Sequence, residues 1–311
     1  MLRYYVLDFG NTRTELTEIY SAVIDCDVSV PADSLKICMA YNRSAANTAR
    51  RIIAEENGEV VFLGEIDSIV SERSASAQTM KISARSLAAL LLDNEAEPLD
   101  YNSPSPQLIF RRHLMPFGIT LADGGGHSMG GRLRINKGMS HWQVIESFCR
   151  SKYGSRPKIT ADGRAFFKGL PKNGVTVFGE KGTGYYSLKE KRNRHALITD
   201  VRVRSAKNGR YDSVVANSNP QCTSLIRRRY VDAAAENRTM DTAFKMIENS
   251  NRKSYSLQLS CFGCHLRLLG GGAAVEDSGL GVLEGLTVKG VKFSEDKNGA
   301  VSVITLEKEW S

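Results

Sequence analysis

Two short stretches carry residue types that do chemistry at close range. Gly126-His127-Ser128-Met129-Gly130 fits the G-x-S-x-G spacing, in which a serine on a strained strand-to-helix turn becomes an exposed nucleophile. A hydrolase built on Ser128 also needs an acid and then a histidine downstream, and Asp162 or Asp200 with His195 or His265 keeps that order. The flanks argue otherwise. Asp123-Gly124-Gly125 stands where an apolar strand is required, and Arg132-Leu133-Arg134-Ile135-Asn136-Lys137 follows with strand alternation where a helix is required. Gly124–Gly131 therefore reads as a loop, and serine hydrolysis through Ser128 is the runner-up reading.

Cys261-Phe262-Gly263-Cys264-His265 fits C-x-x-C-H, the spacing of covalent haem attachment. That chemistry belongs to exported proteins, and the opening Met-Leu-Arg-Tyr-Tyr-Val-Leu-Asp shows no secretory signal. A zinc site wants four Cys or His ligands, whereas Cys26, Cys38, Cys149 and Cys222 are scattered singly. The flanks Leu257-Gln258-Leu259 and Leu266-Arg267-Leu268 read as strands meeting at a turn around Gly263, with the thiols buried there as small apolar groups. Gly179-Glu180-Lys181-Gly182-Thr183-Gly184 lacks the closing Gly-Lys-Ser/Thr of a phosphate loop, and Asp8-Phe9-Gly10 has no catalytic-loop partner. No catalytic residue, cofactor or metal is expected, and the chain is expected not to be an enzyme.

Basic residues gather at Lys189, Lys191, Arg192, Arg194, Arg202, Arg204, Lys207 and Arg210, with Arg227-Arg228-Arg229 beyond. Arg202 and Arg204 share one side of a strand, which makes an electrostatic patch. Arginines paired with carboxylates of a neighbouring subunit suit this better than a nucleic-acid surface, because few aromatic side chains are interleaved for stacking.

The elements that must carry these residues are mostly strands. Ile24, Cys26, Val28 and Val30 alternate with polar residues, Pro31-Ala32-Asp33-Ser34 breaks the run, and Leu35, Ile37, Met39 and Tyr41 resume it, so a hairpin is expected. Phe62–Val70 and Thr79–Ala84 add two strands, and Ser86–Asp93 a short buried helix. Asn102-Ser103-Pro104-Ser105-Pro106 reads as a linker. Ser140 and Gln143 form a capping box for a helix through Phe148 that ends at Gly154, and Asp162-Gly163 turns a hairpin. Further on come a Val201–Arg204 strand, an Asn208-Gly209 turn, a helix face of Met240, Ala243, Phe244 and Ile247, and strands at Tyr255–Cys261, Leu286–Val288, Val291–Phe293 and Val301–Leu306.

The chain has 311 residues, so two or three domains of about 100–200 residues are expected. Its 41% hydrophobic and 24% charged residues match a folded globular composition. The longest aliphatic run, Leu87–Leu92, is far below the ~20 residues of a spanning helix. With 42 Lys+Arg against 34 Asp+Glu the net charge is +8, which permits acidic partners without demanding nucleic acid.

The order of these features is similar to that of baseplate hub proteins of contractile phage tails. The resemblance rests on Phe62-Leu63-Gly64-Glu65-Ile66-Asp67 followed by Lys81-Ile82-Ser83-Ala84-Arg85-Ser86 and a Leu-rich helix ending at Asp93. It continues through Lys137-Gly138-Met139-Ser140 leading into a helix, Asp162-Gly163-Arg164, the Leu197–Arg204 strand, Arg228-Arg229-Tyr230 before a helix, and Gly290-Val291-Lys292-Phe293 to Ile304-Thr305-Leu306. That group includes XkdQ-like prophage proteins, the late control protein D type and the hub part of type VI secretion VgrG. The turn at Cys261-Phe262-Gly263-Cys264 departs from it, where members more often carry an apolar residue and Pro-Gly.

The resemblance implies a β-rich α+β fold with two tube-type antiparallel β-barrel-like domains, 1–105 and 191–311, around a small α+β module, 106–190. It implies a homotrimer in the tail baseplate of a virion or phage-like particle, assembled in the bacterial cytoplasm. The implied partners are the tail tube protein, the spike protein and other baseplate components, with DNA only as cargo through the channel. Three chains with two similar modules each would place six modules in one ring, matching a six-fold tube to a three-fold spike.

Overall fold

The computed structural model describes residues 2–75, 77–123, 125–171, 174–205, 208–222, 226–232 and 239–308. Period-two alternation in the N-terminal region becomes antiparallel strands: β1 (Arg3–Leu7), β2 (Arg13–Leu16), β3 (Ile19–Asp27) and β4 (Ser34–Ala40), then β5 (Arg51–Glu56), β6 (Glu59–Arg73) and β7 (Gln78–Ser86), with α1 (Arg43–Thr48) between β4 and β5. They bond in the order β3-β4-β7-β6-β5-β1-β2. Ala22, Ile24 and Cys26 of β3, Leu35, Ile37 and Met39 of β4, and Met80, Ile82 and Ala84 of β7 are buried, so one face of the ladder is core. The expected hairpin is present, with Ile24 opposite Leu35. Its first strand stops at Asp27, leaving Val30 exposed. The cause is local: the Asp27 carboxylate accepts from Ser29 N and the Asp27 carbonyl from Val30 N, a turn that competes with the ladder. In β6, Gly64 allows close approach, since a Cβ there would sit 2.3 Å from the Arg85 carbonyl oxygen.

Next come α2 (Ala88–Asp93), β8 (Leu99–Asn102), α3 (Pro106–His113), β9 (Thr120–Leu121), β10 (Arg132–Ile135), α4 (His141–Tyr153), β11 (Lys158–Ile159) and β12 (Arg164–Phe166). The expected linker is instead a helix start. Ser105 Oγ accepts from Leu108 N at 3.1 Å and Pro106 occupies the first turn, where its missing N–H is no loss. The capping box forms as expected: Gln143 N donates to Ser140 Oγ, Ser140 N donates to Gln143 Oε1, and Gly154 closes α4 at φ 68°. Ile145 and Phe148 of α4 pack with Leu87, Leu91, Ile109 and Phe167 in one continuous apolar cluster. Truncating such a phenylalanine costs about 3–5 kcal/mol.

The remaining elements are β13 (Val175–Phe178), β14 (Ser187–Arg192), β15 (Asp200–Val203), β16 (Ser213–Ala216), β17 (Arg228–Val231), α5 (Thr239–Ser254), β18 (Tyr255–Phe262), β19 (Gly272–Asp277), β20 (Gly281–Asp296) and β21 (Gly299–Lys308). β15 pairs antiparallel with β16 across the expected Asn208-Gly209 turn and parallel with β17, and Val201, Val203 and Val215 pack on Ala243 and Ile247 of α5. Phe244 departs from the expected face and is exposed, and the Met240 side chain lies outside the described residues. The two short strands expected at 286–288 and 291–293 are one strand, β20, because Gly290 keeps the ladder by pairing with Asp27 of β3.

The chain forms two compact units: Met1–Gly174 with Cys261–Gly271 and Lys289–Ile304, and Val175–Ser260 with Gly272–Val288 and Thr305–Ser311. Both units are discontinuous in sequence, since β18, β20 and β21 each contribute residues to both. The fold is predominantly antiparallel β with few helices. Among the described residues no helix is long and apolar enough to cross a membrane.

Candidate functional site

Ser128 lies exposed in an irregular segment between β9 and β10. A strand, β10, follows it, so the strand–turn–helix that strains a nucleophile is not built. Within the first unit His113 bonds Tyr101 and His141, and His265 Nε2 meets the Phe262 carbonyl at 2.9 Å. Asp162 accepts from Arg164 Nε at 2.7 Å and from Thr160. Asp200 and His195 belong to the second unit. No base is brought to the Ser128 hydroxyl by a hydrogen bond among the described residues. Gly124 of the same loop lies outside the described residues.

The C-x-x-C-H stretch forms a hydrogen-bonded corner. Gly263 turns at φ 89° and donates to the Ala300 carbonyl, while Ser302 Oγ donates to the Gly263 carbonyl at 2.7 Å and accepts from His265 N. All six cysteines are free. Burial pushes the Cys264 thiol up to about 11, and burial raises Cys261 as well. Among the described residues no group of His, Cys, Asp or Glu is placed to hold a metal.

A cleft of about 750 Å³ in the first unit is walled by Leu170, Leu266 and Val60, with Asp162, Arg164 and Arg267 among its polar residues. Its charges are paired: Arg164 with Asp162, and Arg267 with Glu56 at 3.7 Å and with Glu59. Paired and neutral, this cleft presents no free base.

The basic run is the remaining feature. Asp200 on β15 sits between Arg228 Nε at 2.7 Å and Arg202 Nε at 3.5 Å. Burial pushes this carboxyl up, but the hydrogen bond and charge of Arg228 outweigh it, and the acid lies below its usual range. Arg204 reaches Asp232 at 3.8 Å, the Tyr211 hydroxyl donates to the same carboxylate, and the Tyr211 and Tyr230 rings meet edge to face at 5.1 Å. On β14, Arg192 pairs with Glu190. Much of the cluster is thus neutralised within its own unit, which leaves Arg229 exposed with its guanidinium on the Arg228 carbonyl at 3.1 Å. Lys207 lies outside the described residues.

Sequence reasoning missed one buried polar constellation. Lys158 Nζ on β11 meets Asp33 Oδ1 at 2.8 Å and the carbonyls of Asp27 and Val30 at 2.9 Å each. The available signal was weak: Asp33 sits in a Pro-Ala-Asp-Ser turn and Lys158 on a strand too short to show alternation.

No protein-family model matches this chain, and no curated protein matches it. Solved structures do. The 43 kDa tail protein of prophage MuSo2 from Shewanella oneidensis is similar at a TM-score of 0.80 and 16% identity, over 99% of this chain and 98% of that one. A tail protein from Neisseria meningitidis MC58 is similar at 0.76 and 17%, over 99% and 96%. An E. coli component of the type VI secretion system, described as resembling the T4 bacteriophage tail proteins gp27 and gp5, gives 0.56 and 10%, over 94% and 74%. At these identities the likeness is one of fold.

Proposed function

We propose that this protein is a structural, non-enzymatic baseplate hub of a contractile phage tail or phage-like particle, joining the tail tube to the central spike. The observation that carries the reading is end-to-end likeness of fold to a prophage tail protein, 99% of this chain against 98% of that one. Against the hydrolase reading, Ser128 is followed by strand β10 where a nucleophile elbow needs a helix.

In this reading 1–105 and 191–311 are the two barrel-type modules and 106–190 the insert between them. Three copies present six modules on one face and three on the other, which adapts a six-fold tube to a three-fold spike. Closing the ring covers strand edges such as β2 that otherwise invite uncontrolled pairing. The partners are the tube protein, the spike and neighbouring baseplate components, with DNA only as cargo through the channel. The protein is located in the baseplate of the particle after assembly in the bacterial cytoplasm.

Gold-labelled antibody against the protein, applied to purified particles, tests the placement. Label at the spike end of the tube is expected; label along the sheath, or none on complete particles, overturns it.

A further inference from the structure

Asn57, Asn173, Asn208 and Asn298 each precede a glycine. A glycine nitrogen has no Cβ beside it and its backbone swings freely, so it can reach the side-chain carbonyl carbon of the preceding asparagine. The fold decides which pair reacts, because both groups must first leave the hydrogen bonds that hold them.

The pairs are held very differently. Asn208 Oδ1 accepts from Arg210 N at 2.9 Å, its Nδ2 donates to Asp212 Oδ2 at 2.8 Å, and Gly209 N donates to the Ser205 carbonyl at 2.9 Å. Asn298 is tied to Asp296, through its backbone N at 2.7 Å and its Nδ2 at 3.4 Å, and Gly299 opens β21. Asn57 and Gly58 form the exposed two-residue turn between β5 and β6, at φ 52° and 84°. Among the described residues neither the Asn57 side chain nor the Gly58 N–H makes a hydrogen bond. Asn173 lies outside the described residues. On either side of the turn, Glu56 and Glu59 share Arg267, and Glu59 and Arg267 line the cleft of about 750 Å³.

We propose that Asn57 is a site of spontaneous covalent modification, at which the amide is exchanged for a carboxylate on the rim of that cleft. Hydroxide removes the proton from Gly58 N, and the nitrogen bonds to Asn57 Cγ. The Cγ–Nδ2 bond breaks, Nδ2 takes a proton from water and leaves as ammonia, and a cyclic imide remains. Water adds to either imide carbonyl and breaks its C–N bond, which leaves an aspartyl or an isoaspartyl residue at position 57. Either product sets a third acid beside the single guanidinium of Arg267. The isoaspartyl form also adds a methylene to the backbone of a turn whose length fixes the β5–β6 register.

The test holds the purified full chain in mildly alkaline buffer, folded and in urea, and follows each asparagine by peptide mass mapping. Isoaspartate is read with an isoaspartyl methyltransferase. Breaking the hydrogen bonds at Asn208 raises its barrier, so folded protein is expected to convert Asn57 faster than Asn208 by about tenfold or more. In urea the two rates should converge. Equal rates in folded protein, or an Asn57 that converts only in urea, overturn the proposal. A rate ratio that persists in urea assigns the difference to sequence instead of the turn and overturns it too. Asn57→Gln, at an exposed turn position, should abolish conversion in the tryptic peptide 52–73. Isoaspartate that persists there in this variant comes from Asp67, the other source in that peptide, and counts against Asn57.

Discussion

Lys158 Nζ lies 2.8 Å from Asp33 Oδ1 with the two side chains 3% and 0% exposed, so this ion pair is almost wholly removed from water. Two carbonyls complete the partners of the ammonium, and all three acceptors come from the last residue of β3 and the turn that leads to β4. One cation thereby fastens β11 to the N-terminal ladder inside the first unit. Asp33 Oδ2 stays buried without a partner, and burial holds this carboxyl above the usual range against the pull of Lys158. Such a pair fixes a position more than it adds stability, because desolvation offsets most of the attraction.

Removing one partner is the sensitive perturbation. Lys158→Met strands a buried carboxyl and is expected to lower stability by about 3–5 kcal/mol, while Lys158→Met with Asp33→Leu recovers much of that loss. Guanidinium unfolding of the three proteins reads this directly. A single variant within about 0.5 kcal/mol of wild type would show that the pair is dispensable.

Acid should loosen the same unit through His113. Its Nδ1 meets His141 Nδ1 at 2.9 Å and its Nε2 meets the Tyr101 hydroxyl at 3.1 Å. Burial, then the charges of His141 and Arg112, pulls its pKa down to about 4, and burial lowers His141 as well. The unfolded chain titrates near 6.5, so between about 6.5 and about 4 it binds a proton that the folded chain refuses, and stability falls as pH falls through that window. The loss from His113 amounts to about 3 kcal/mol. Thermal unfolding from pH 7 to pH 4 should show it, and His113→Gln should flatten the slope. An unchanged slope in that variant would assign the effect elsewhere.

Ser128 should be inert. A fluorophosphonate probe that labels activated serines is expected to leave the folded protein unlabelled, since no histidine activates this hydroxyl. Stoichiometric labelling that disappears in Ser128→Ala would restore the hydrolase reading.

The thiols should behave as packing. With the Cys264 pKa near 11 and Cys26, Cys149 and Cys261 buried, maleimide at pH 7 should modify native protein far more slowly than urea-unfolded protein. Elemental analysis should find no stoichiometric zinc and an absorbance scan no Soret band. Either signal would mean that the Cys261–His265 corner does more than turn the chain.

Legibility in the sequence followed the range of the forces involved. The Ser140–Gln143 capping box, the Asp162-Gly163 turn and the alternation in β18 depend on neighbours a few residues away, and each is present. Ser105-Pro106 reads as a linker in the sequence, although the same residues suit a helix start, and only burial of α3 against Ile145 and Phe148 decides for the helix. The Lys158–Asp33 pair joins positions 125 residues apart and leaves no local trace. A cleft beside β1 is assembled likewise, from Tyr4 and Glu18 early in the sequence and Glu295 late in it.

The central claim is that three copies of this chain make a ring with six similar modules on one face. Native mass spectrometry of the purified protein, with class averages from negative-stain images of the same sample, tests it most directly. The account predicts a mass of three chains and a ring with pseudo-six-fold symmetry around a central channel. A single chain, or a true six-copy ring, would contradict it.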